Sequence, residues 1–121
     1  MNENRPNIIK EKSFAFALRV IKLYKFLSNN KEFILSKQLL RSGTAIGALV
    51  REAEHAESKA DFIHKMAIAQ KEANETDYWI ALLYKSDYLD DSQYNSISED
   101  VKELIKILAA IIITTKKGIG K

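Results

Sequence analysis

The sequence contains no cysteine and only one proline, Pro6. The lack of cysteine excludes disulfide bonds, thiolate metal sites and a cysteine nucleophile. The longest uninterrupted apolar run, residues 107–113, is much shorter than the roughly 20 residues that a membrane-spanning helix needs. The first six residues are polar and lack the apolar segment of a signal peptide. We therefore expect a cytoplasmic protein that does not enter a membrane.

The composition is that of a small globular protein that is rich in helix. The 121 residues suffice for one domain with one core, and 46% of them are hydrophobic and 29% charged. The net charge of +3 is mild. Such a charge is compatible with RNA or DNA as a partner, and equally with ordinary solubility. Composition alone therefore leaves nucleic-acid binding open.

Apolar periodicity predicts four helices, over about residues 8–28, 33–57, 59–86 and 91–117. No stretch shows the alternating pattern of a strand. Four helices with short connections favour an all-α, antiparallel up-down-up-down four-helix bundle, with residues 1–121 as a single domain.

Two predicted helix starts carry capping pairs. Ser58 is a candidate N-cap with Asp61 three residues later. Asp90 with Gln93 and Ser96 with Glu99 have the same spacing, so the fourth helix begins near residue 91 or near residue 97, and a start near 91 is favoured. In the third helix, apolar and small residues recur at spacings of four and three, which is typical of a core seam. That seam comprises Phe62, Met66, Ala69, Ala73, Thr76, Ile80 and Leu83.

The second and third helices, within residues 38–83, form a predicted hairpin. Folding its arms together places positions whose numbers add to about 116 opposite each other. Gly43 then faces Ala73, and Gly47 faces Ala69. Each glycine costs the helix up to about 1 kcal/mol relative to alanine. Close approach of the second and third helices is the expected compensation.

The same register pairs charged side chains across the hairpin. It places Arg41 opposite Glu75 and Glu52 opposite His64. Paired carboxylates can serve acid–base chemistry, but a partly buried Arg–Glu pair more often fixes the register of two helices. The residues predicted to have this structural role are Arg41, Gly43, Gly47, Glu72 and Glu75.

The first helix carries two apolar stripes. One contains Phe14 and Leu18, and the other contains Phe16 and Val20, about 200° away. A helix at the surface of a monomeric bundle needs only one apolar face. We therefore predict a homo-oligomer in which the second stripe lies at the subunit interface: Phe16, Val20, Leu23 and Leu27.

Enzyme motifs are incomplete. Glu52 and His55 form a Glu-x-x-His motif, and Asp61 and His64 form an Asp-x-x-His motif. Paired motifs of this type hold di-iron centres in some bundles, but the other two helices supply no clear carboxylate ligands. The spacing of Arg51 and His55 is marginal for the motif of small helical ribonucleases. We predict no catalytic residue, metal site or cofactor, and keep a metal-dependent or ribonuclease-like enzyme as an alternative.

One end of the bundle is rich in cations, because the topology brings together there the starts of the first and third helices and the ends of the second and fourth. Such a patch can contact phosphate groups, although nearby carboxylates dilute it. The candidate nucleic-acid-binding residues are Lys10, Lys12, Arg51, Lys59, Lys65, Lys116 and Lys117. A structured RNA or a DNA bound at this end is the alternative to a scaffold without nucleic acid.

The residues at 38–48, with 51–53, 61–62 and 72–79, resemble a known family. Their sequences are QLLRSGTAIGA, REA, DF and EANETDYW. The resemblance covers about residues 9–117, and is to the four-helix-bundle family named for proteins encoded in 23S rRNA intervening sequences. This bacterial family includes the accessory variability protein of diversity-generating retroelements.

The resemblance implies a left-handed bundle that assembles into rings of five subunits. It also implies contacts with a protein partner and with nucleic acid, since the accessory variability protein contacts a reverse transcriptase. Family members have no established catalytic residues. Arg41, Arg51, Glu72 and Glu75 match the family pattern, which implies roles in bundle or ring assembly. We expect a non-enzymatic, self-assembling scaffold, with a pentamer implied by resemblance alone.

Overall fold

The computed structural model describes residues 4–119, which form four α-helices and no strand. The helices are α1 (Asn4–Asn29), α2 (Leu35–Ala53), α3 (Lys59–Lys85) and α4 (Asp91–Ile119). Each helix packs against the next, and α1 also meets α4, although less extensively. In the described part of the chain, the diagonal pairs do not pack together. The helices therefore stand at the corners of a square, as the predicted four-helix bundle requires.

Contacts across the bundle show that neighbouring helices are antiparallel. In three pairs, residues near the start of one helix lie beside residues near the end of the other: Lys10 with Glu54, Lys65 with Glu52, and Tyr84 with Tyr94. Between α1 and α4, Lys12 contacts Glu103, whereas Arg19, further along α1, contacts Asp100, earlier in α4.

The core follows the predicted seam in α3, and α4 also buries one apolar stripe. In α3 the seam from Met66 to Leu83 is fully buried, and Phe62 is half-buried beside it. In α4 the buried stripe runs from Ile97 to Ile111. Each of these two helices has one dominant apolar stripe, so its orientation follows from the 3.6-residue period alone.

Two helices end in left-handed turns without glycine. Lys31 and Asp87 have φ values of 66° and 69°. After α1, the N–H of Lys31 donates to the carbonyl of Ser28 (3.0 Å), and the N–H of Glu32 donates to that of Leu27 (2.9 Å). The turn at Asp87 repeats this pattern: the N–H of Asp87 donates to the carbonyl of Tyr84, and the N–H of Tyr88 donates to that of Leu83. These are Schellman motifs, which satisfy the last carbonyl groups of α1 and α3.

Helix α2 is shorter than the predicted 33–57. It begins at Leu35 because the carboxylate of Glu32 accepts hydrogen bonds from the backbone N–H groups at its start. It ends at Ala53, after which the N–H of His55 donates to the carbonyl of Glu52 (3.0 Å) in a tighter turn. Helix α1 instead begins earlier than predicted, at Asn4, and proline is tolerated in a first helical turn.

The predicted capping pairs at Ser58 and Asp90 are confirmed, whereas Ser96 lies inside α4 and starts no helix. The Ser58 hydroxyl accepts a hydrogen bond from the N–H of Asp61 (3.0 Å). Asp90 and Gln93 form a reciprocal pair in which each side chain accepts from the other residue's N–H, at 2.7 and 2.9 Å. These local signals fix where α3 and α4 begin.

No helix in residues 4–119 is long and apolar enough to cross a membrane.

Candidate functional site

A charged cluster joins α2 to α3 at mid-height of the bundle. Arg41 Nη1 lies 3.2 Å from Glu72 Oε1, and Arg41 Nη2 contacts Glu75 Oε2. The indole N–H of Trp79 donates to the same oxygen of Glu75 at 3.1 Å. Arg41 Nε also donates to Gln38 Oε1 at 3.3 Å. The predicted pairing of Arg41 with Glu75 is confirmed.

This cluster is built to hold two helices in register. Glu75 Oε2 accepts from both Arg41 and Trp79, so its hydrogen-bonding capacity is occupied by the protein itself. The Arg41 side chain is 49% exposed, so each ion pair contributes at most about 1 kcal/mol. The geometry of the cluster therefore suits holding α2 and α3 in register better than it suits proton transfer.

Beneath the cluster, two hydroxyl groups form a buried polar contact between the same helices. Ser42 Oγ and Thr76 Oγ1 lie 2.9 Å apart, and both residues are fully buried. The Thr76 hydroxyl also lies 2.8 Å from the carbonyl oxygen of Glu72, to which it can donate. Sliding α3 along α2 would leave the buried Ser42 hydroxyl without this partner, although Thr76 would keep the carbonyl of Glu72 in its own helix. The Ser42–Thr76 contact therefore favours one register.

The predicted contact of the α2 glycines with α3 is wrong. A Cβ atom added to Gly43 would lie 2.8 Å from Val20 Cγ2, and one added to Gly47 would lie 3.5 Å from the carbonyl oxygen of Ser13. Both contacts are with α1. Ser42, one residue before Gly43, faces α3 instead. The hairpin register was predicted well, but the rotation of α2 about its axis was not.

Ion pairs partly neutralise the predicted basic end. Lys10 lies 3.1 Å from Glu54, Lys12 lies 3.4 Å from Glu103 and Lys65 lies 3.2 Å from Glu52. Glu52 thus contacts Lys65 rather than the predicted neighbour, His64. Three of the seven candidate cations are already paired with carboxylates.

The other four candidate cations make no ion pair within residues 8–118: Arg51, Lys59, Lys116 and Lys117. Lys59 Nζ lies near Gly118, 3.7 Å from where a Cβ would be. It therefore stands beside the last turn of α4, where the helix dipole favours a cation. Lys116 and Lys117 lie in that same turn. The Arg51 guanidinium lies 5.6 Å from the ring centroid of Phe14.

The two histidine motifs do not converge. Glu52 pairs with Lys65, and the Asp61 carboxylate accepts from the N–H of Glu57 at 3.1 Å. His55 and His64 are exposed. Among the described residues, no three His, Asp or Glu side chains are placed to bind one metal ion. The motifs serve as an ion pair and a helix cap.

The predicted interface stripe of α1 needs correction. Phe16, Val20 and Leu27 are 0–2% exposed inside the single chain, and Leu23 is half-buried. Val20 fills the space that the missing side chain of Gly43 leaves open. Because these side chains pack within their own subunit, most of this stripe is unavailable to another one.

The opposite stripe of α1 is the exposed one. Phe14 is 53% exposed and Leu18, one turn later, is 50% exposed. Ile21 continues the same face and is half-buried. Apolar side chains grouped on one helix face are typical of interaction surfaces. We call Phe14, Leu18 and Ile21 the outer stripe of α1.

The comparison with known proteins covers nearly all of this architecture. The family model described as 23S rRNA-intervening sequence protein matches residues 5–110, which include the charged cluster, both α2 glycines and the outer stripe. The chain belongs to this family. No curated protein matches this chain.

A solved relative shares the fold of this chain. It is a protein of unknown function from the S23 ribosomal protein family of Bacteroides thetaiotaomicron, and 56% of the aligned residues are identical. The match covers 89% of this chain and 97% of the relative, with a TM-score of 0.88. The four-helix bundle and the family are therefore shown.

The sequence alone did not indicate that the outer stripe is the exposed face of α1. Two apolar stripes on one helix look equivalent when only their periodicity is considered. The informative signal was the pair Gly43 and Gly47 in α2, because a missing side chain can admit a bulky residue from α1. Assigning Val20 to that gap would have turned Phe14 and Leu18 outward.

Proposed function

We propose that the protein is a non-enzymatic, self-assembling scaffold whose subunits associate through the outer stripe of α1. The supporting observation is the exposure of Phe14 and Leu18 on one helix face, although the core of the bundle is already filled by the other stripe. Burial of such side chains in an interface contributes about 25 cal/mol for each Å² removed from water. A ring of five subunits is the assembly that the sequence resemblance implied.

Leu18→Glu tests this assembly. A carboxylate in the centre of an apolar interface loses its hydration, so we expect the variant to be monomeric. Size-exclusion chromatography with light scattering should give a mass of several times 13.8 kDa for the native chain and 13.8 kDa for the variant. Circular dichroism should show unchanged helix content, because Leu18 is half-exposed and outside the core.

Tyr78→Glu is the matched control. Tyr78 is 56% exposed on α3, which lies diagonally across the bundle from α1. It should leave the mass of the assembly unchanged. A native chain that is already monomeric, or a Leu18→Glu variant that keeps the native mass, would contradict the proposal.

A second proposal, nucleic-acid binding at the basic end, is supported by the four candidate cations that make no ion pair within residues 8–118. Replacing Lys59, Lys116 and Lys117 together with glutamine removes three phosphate contacts. If a labelled RNA stem-loop binds there, its affinity should fall by about tenfold or more, and the slope of log K against log salt should fall by about 2–3. Fluorescence anisotropy between about 50 and 200 mM salt measures both.

The control for charge alone is glutamine at Lys25, Lys37 and Lys71, which are exposed elsewhere on the surface. It changes net charge equally and should keep most of the affinity and of the salt slope. Equal losses in the two triple variants would show diffuse electrostatic attraction and would contradict a site at the basic end.

A further inference from the structure

A groove runs between α1 and α4, the first and last helices of the bundle. These helices are not joined by a connection, and they pack less extensively than the other neighbouring pairs. Part of the space between them is a cavity of about 330 Å³. Cavities of about 300–1,000 Å³ are typical of ligand-binding pockets. We call it the α1–α4 groove; its lining is Arg19, Lys22, Leu23, Phe26, Gln93 and Ile97.

The floor of the groove is apolar. Leu23 is half-buried, Ile97 is buried, and Phe26 leaves 39% of its surface exposed. On α1 the lining residues follow the spacing i, i+3, i+4 and i+7, so they share one helix face. The two from α4 are one turn apart. A second helix laid along this groove could therefore insert apolar side chains at a matching spacing.

Arg19 closes one end of the groove. Its guanidinium contacts the Asp100 carboxylate and donates to Ser96 Oγ at 2.7 Å, which ties α1 to α4 at this level. Its charge is thereby neutralised within the protein. The next cavity along the same face lies beyond this bridge and is smaller, about 140 Å³. The groove is thus a bounded recess, open towards the connections of the bundle.

The charge of the lining defines the occupant. It contains two cations and no carboxylate. Lys22 is exposed and makes no ion pair within the described residues, so its charge remains available at the rim. An apolar floor beside an unpaired ammonium group complements apolar side chains next to a carboxylate.

We propose that the α1–α4 groove binds an acidic amphipathic helix of another protein, through apolar side chains against Leu23, Phe26 and Ile97 and a carboxylate against Lys22. Leu23, on the groove floor, is nine residues from Phe14, which places it about 180° around α1. Lys22 is four residues from Leu18, so the charged rim of the groove borders the outer stripe, whereas its apolar floor faces away from that stripe.

The probe is a fluorescein-labelled helical peptide of about 16 residues made of Ala, Glu and Leu, with leucines at i, i+3 and i+7. A twin peptide has Lys in place of each Glu. Fluorescence anisotropy of each is measured against the full chain. We expect the Glu peptide to bind saturably, and the Lys peptide to bind at least about tenfold more weakly.

Two surface variants locate the binding. Phe26→Ala and Lys22→Glu should each weaken the Glu peptide by about tenfold. Lys22→Glu should also reverse the preference, so that the Lys peptide binds better than the Glu peptide. Phe33→Ala and Lys71→Glu make the same changes at exposed positions outside the groove and should have no effect.

Four outcomes would overturn the proposal. The Glu peptide shows no saturable binding, or the Phe26 and Lys22 variants bind it as well as the native chain. Hexanoate perturbs the NMR signals of Phe26 and Ile97 while the peptide does not, which would indicate a site for small apolar acids. Alternatively, those signals shift on dilution of the protein alone, which would show that a second copy occupies the groove.

Discussion

Gly43→Ala is expected to lower the free energy of unfolding by up to about 2 kcal/mol, whereas Gly47→Ala should raise it by about 0.5–1 kcal/mol. Alanine gains about 1 kcal/mol over glycine in a helix interior, and this gain applies at both positions. They differ in what the new methyl group meets on α1. At Gly43 it would lie 2.8 and 2.9 Å from the two γ-methyl groups of Val20, but at Gly47 its nearest neighbour is 3.5 Å away.

The clash at Gly43 cannot be relieved cheaply. Val20 is fully buried, and a β-branched side chain has one strongly preferred rotamer in a helix. Either α1 must move away from α2, or Val20 must leave its preferred rotamer, and overpacking of this kind costs about 1–3 kcal/mol. At Gly47, 3.5 Å is ordinary van der Waals contact, so only the gain in helix propensity remains.

Urea unfolding at a fixed protein concentration measures both effects, and Val20→Ala provides the decisive control. With alanine at position 20 the two close methyl contacts are absent, so Gly43→Ala should lose most of its cost in that background. The coupling energy between the two sites should be about 1 kcal/mol or more. If both glycine variants are stabilised equally, or if the coupling is near zero, the close contact of Gly43 with Val20 is wrong.

The number, order and most boundaries of the helices were predictable from sequence because they rest on local chemistry. In α3 and α4, one apolar stripe and one capping pair each determine the core face and the helix start. Ser58 and Asp90 are caps of the usual residue types at the usual spacing. Folding the hairpin back on its turn also placed Arg41 beside Glu75 correctly, since the register of two antiparallel helices follows from the position of the turn and the rise per residue.

What could not be predicted depends on rotation about helix axes. Both stripes of α1 are apolar, so the choice between them is made by packing against α2, where Val20 meets Gly43. The basic end shows the same difficulty. Lys12 and Glu103 are 91 residues apart in sequence, and only the packing of α1 on α4 brings them together. Counting the lysines and arginines that the sequence places at one end of the bundle therefore overestimates how many of them remain without an ion pair.

The start of α2 was missed because its cap has an unusual type and position. Glu32 lies three residues before Leu35, and the residue in the N-cap position, Ile34, makes no side-chain hydrogen bond. One Glu32 oxygen accepts from the N–H of Leu35 at 3.0 Å, and the other accepts from Ser36 at 2.6 Å. A third N–H, that of Ile34, lies 3.3 Å away. The carboxylate thus binds three otherwise unpaired donors.

Glu32→Gln should lower the free energy of unfolding by about 2 kcal/mol at neutral pH. An amide oxygen is a weaker acceptor than a carboxylate, and it lacks the charge that the N-terminal end of a helix dipole favours. The Glu32 side chain is only 7% exposed, so water can replace few of the lost interactions. The N–H groups of Leu35 and Ser36 donate to different oxygens of Glu32. Since an amide has a single acceptor oxygen, one of these N–H groups would face an NH2 group, which cannot accept a hydrogen bond.

The stability that Glu32→Gln loses should become smaller as the pH falls. Burial raises the pKa of Glu32, but the hydrogen bonds from the N–H groups of Leu35, Ser36 and Ile34 outweigh it and hold the pKa below the ordinary value of 4.5. A carboxyl group whose pKa is lower in the folded state stabilises the fold above its unfolded-state pKa. That contribution is lost as the pH falls through the folded-state pKa. The native chain and Glu32→Gln should therefore converge in stability below about pH 4.5.

Urea unfolding across a pH series tests this convergence, with Glu99→Gln as the matched control. Glu99 is exposed and makes no ion pair or side-chain hydrogen bond within the described residues, so the same chemical change there should have little effect at any pH. NMR titration of the Glu32 carboxyl carbon should place its pKa below the ordinary value of 4.5. A stability difference that stays constant from neutral to acidic pH, or widens as the pH falls, would show that the Glu32 carboxylate does not cap α2.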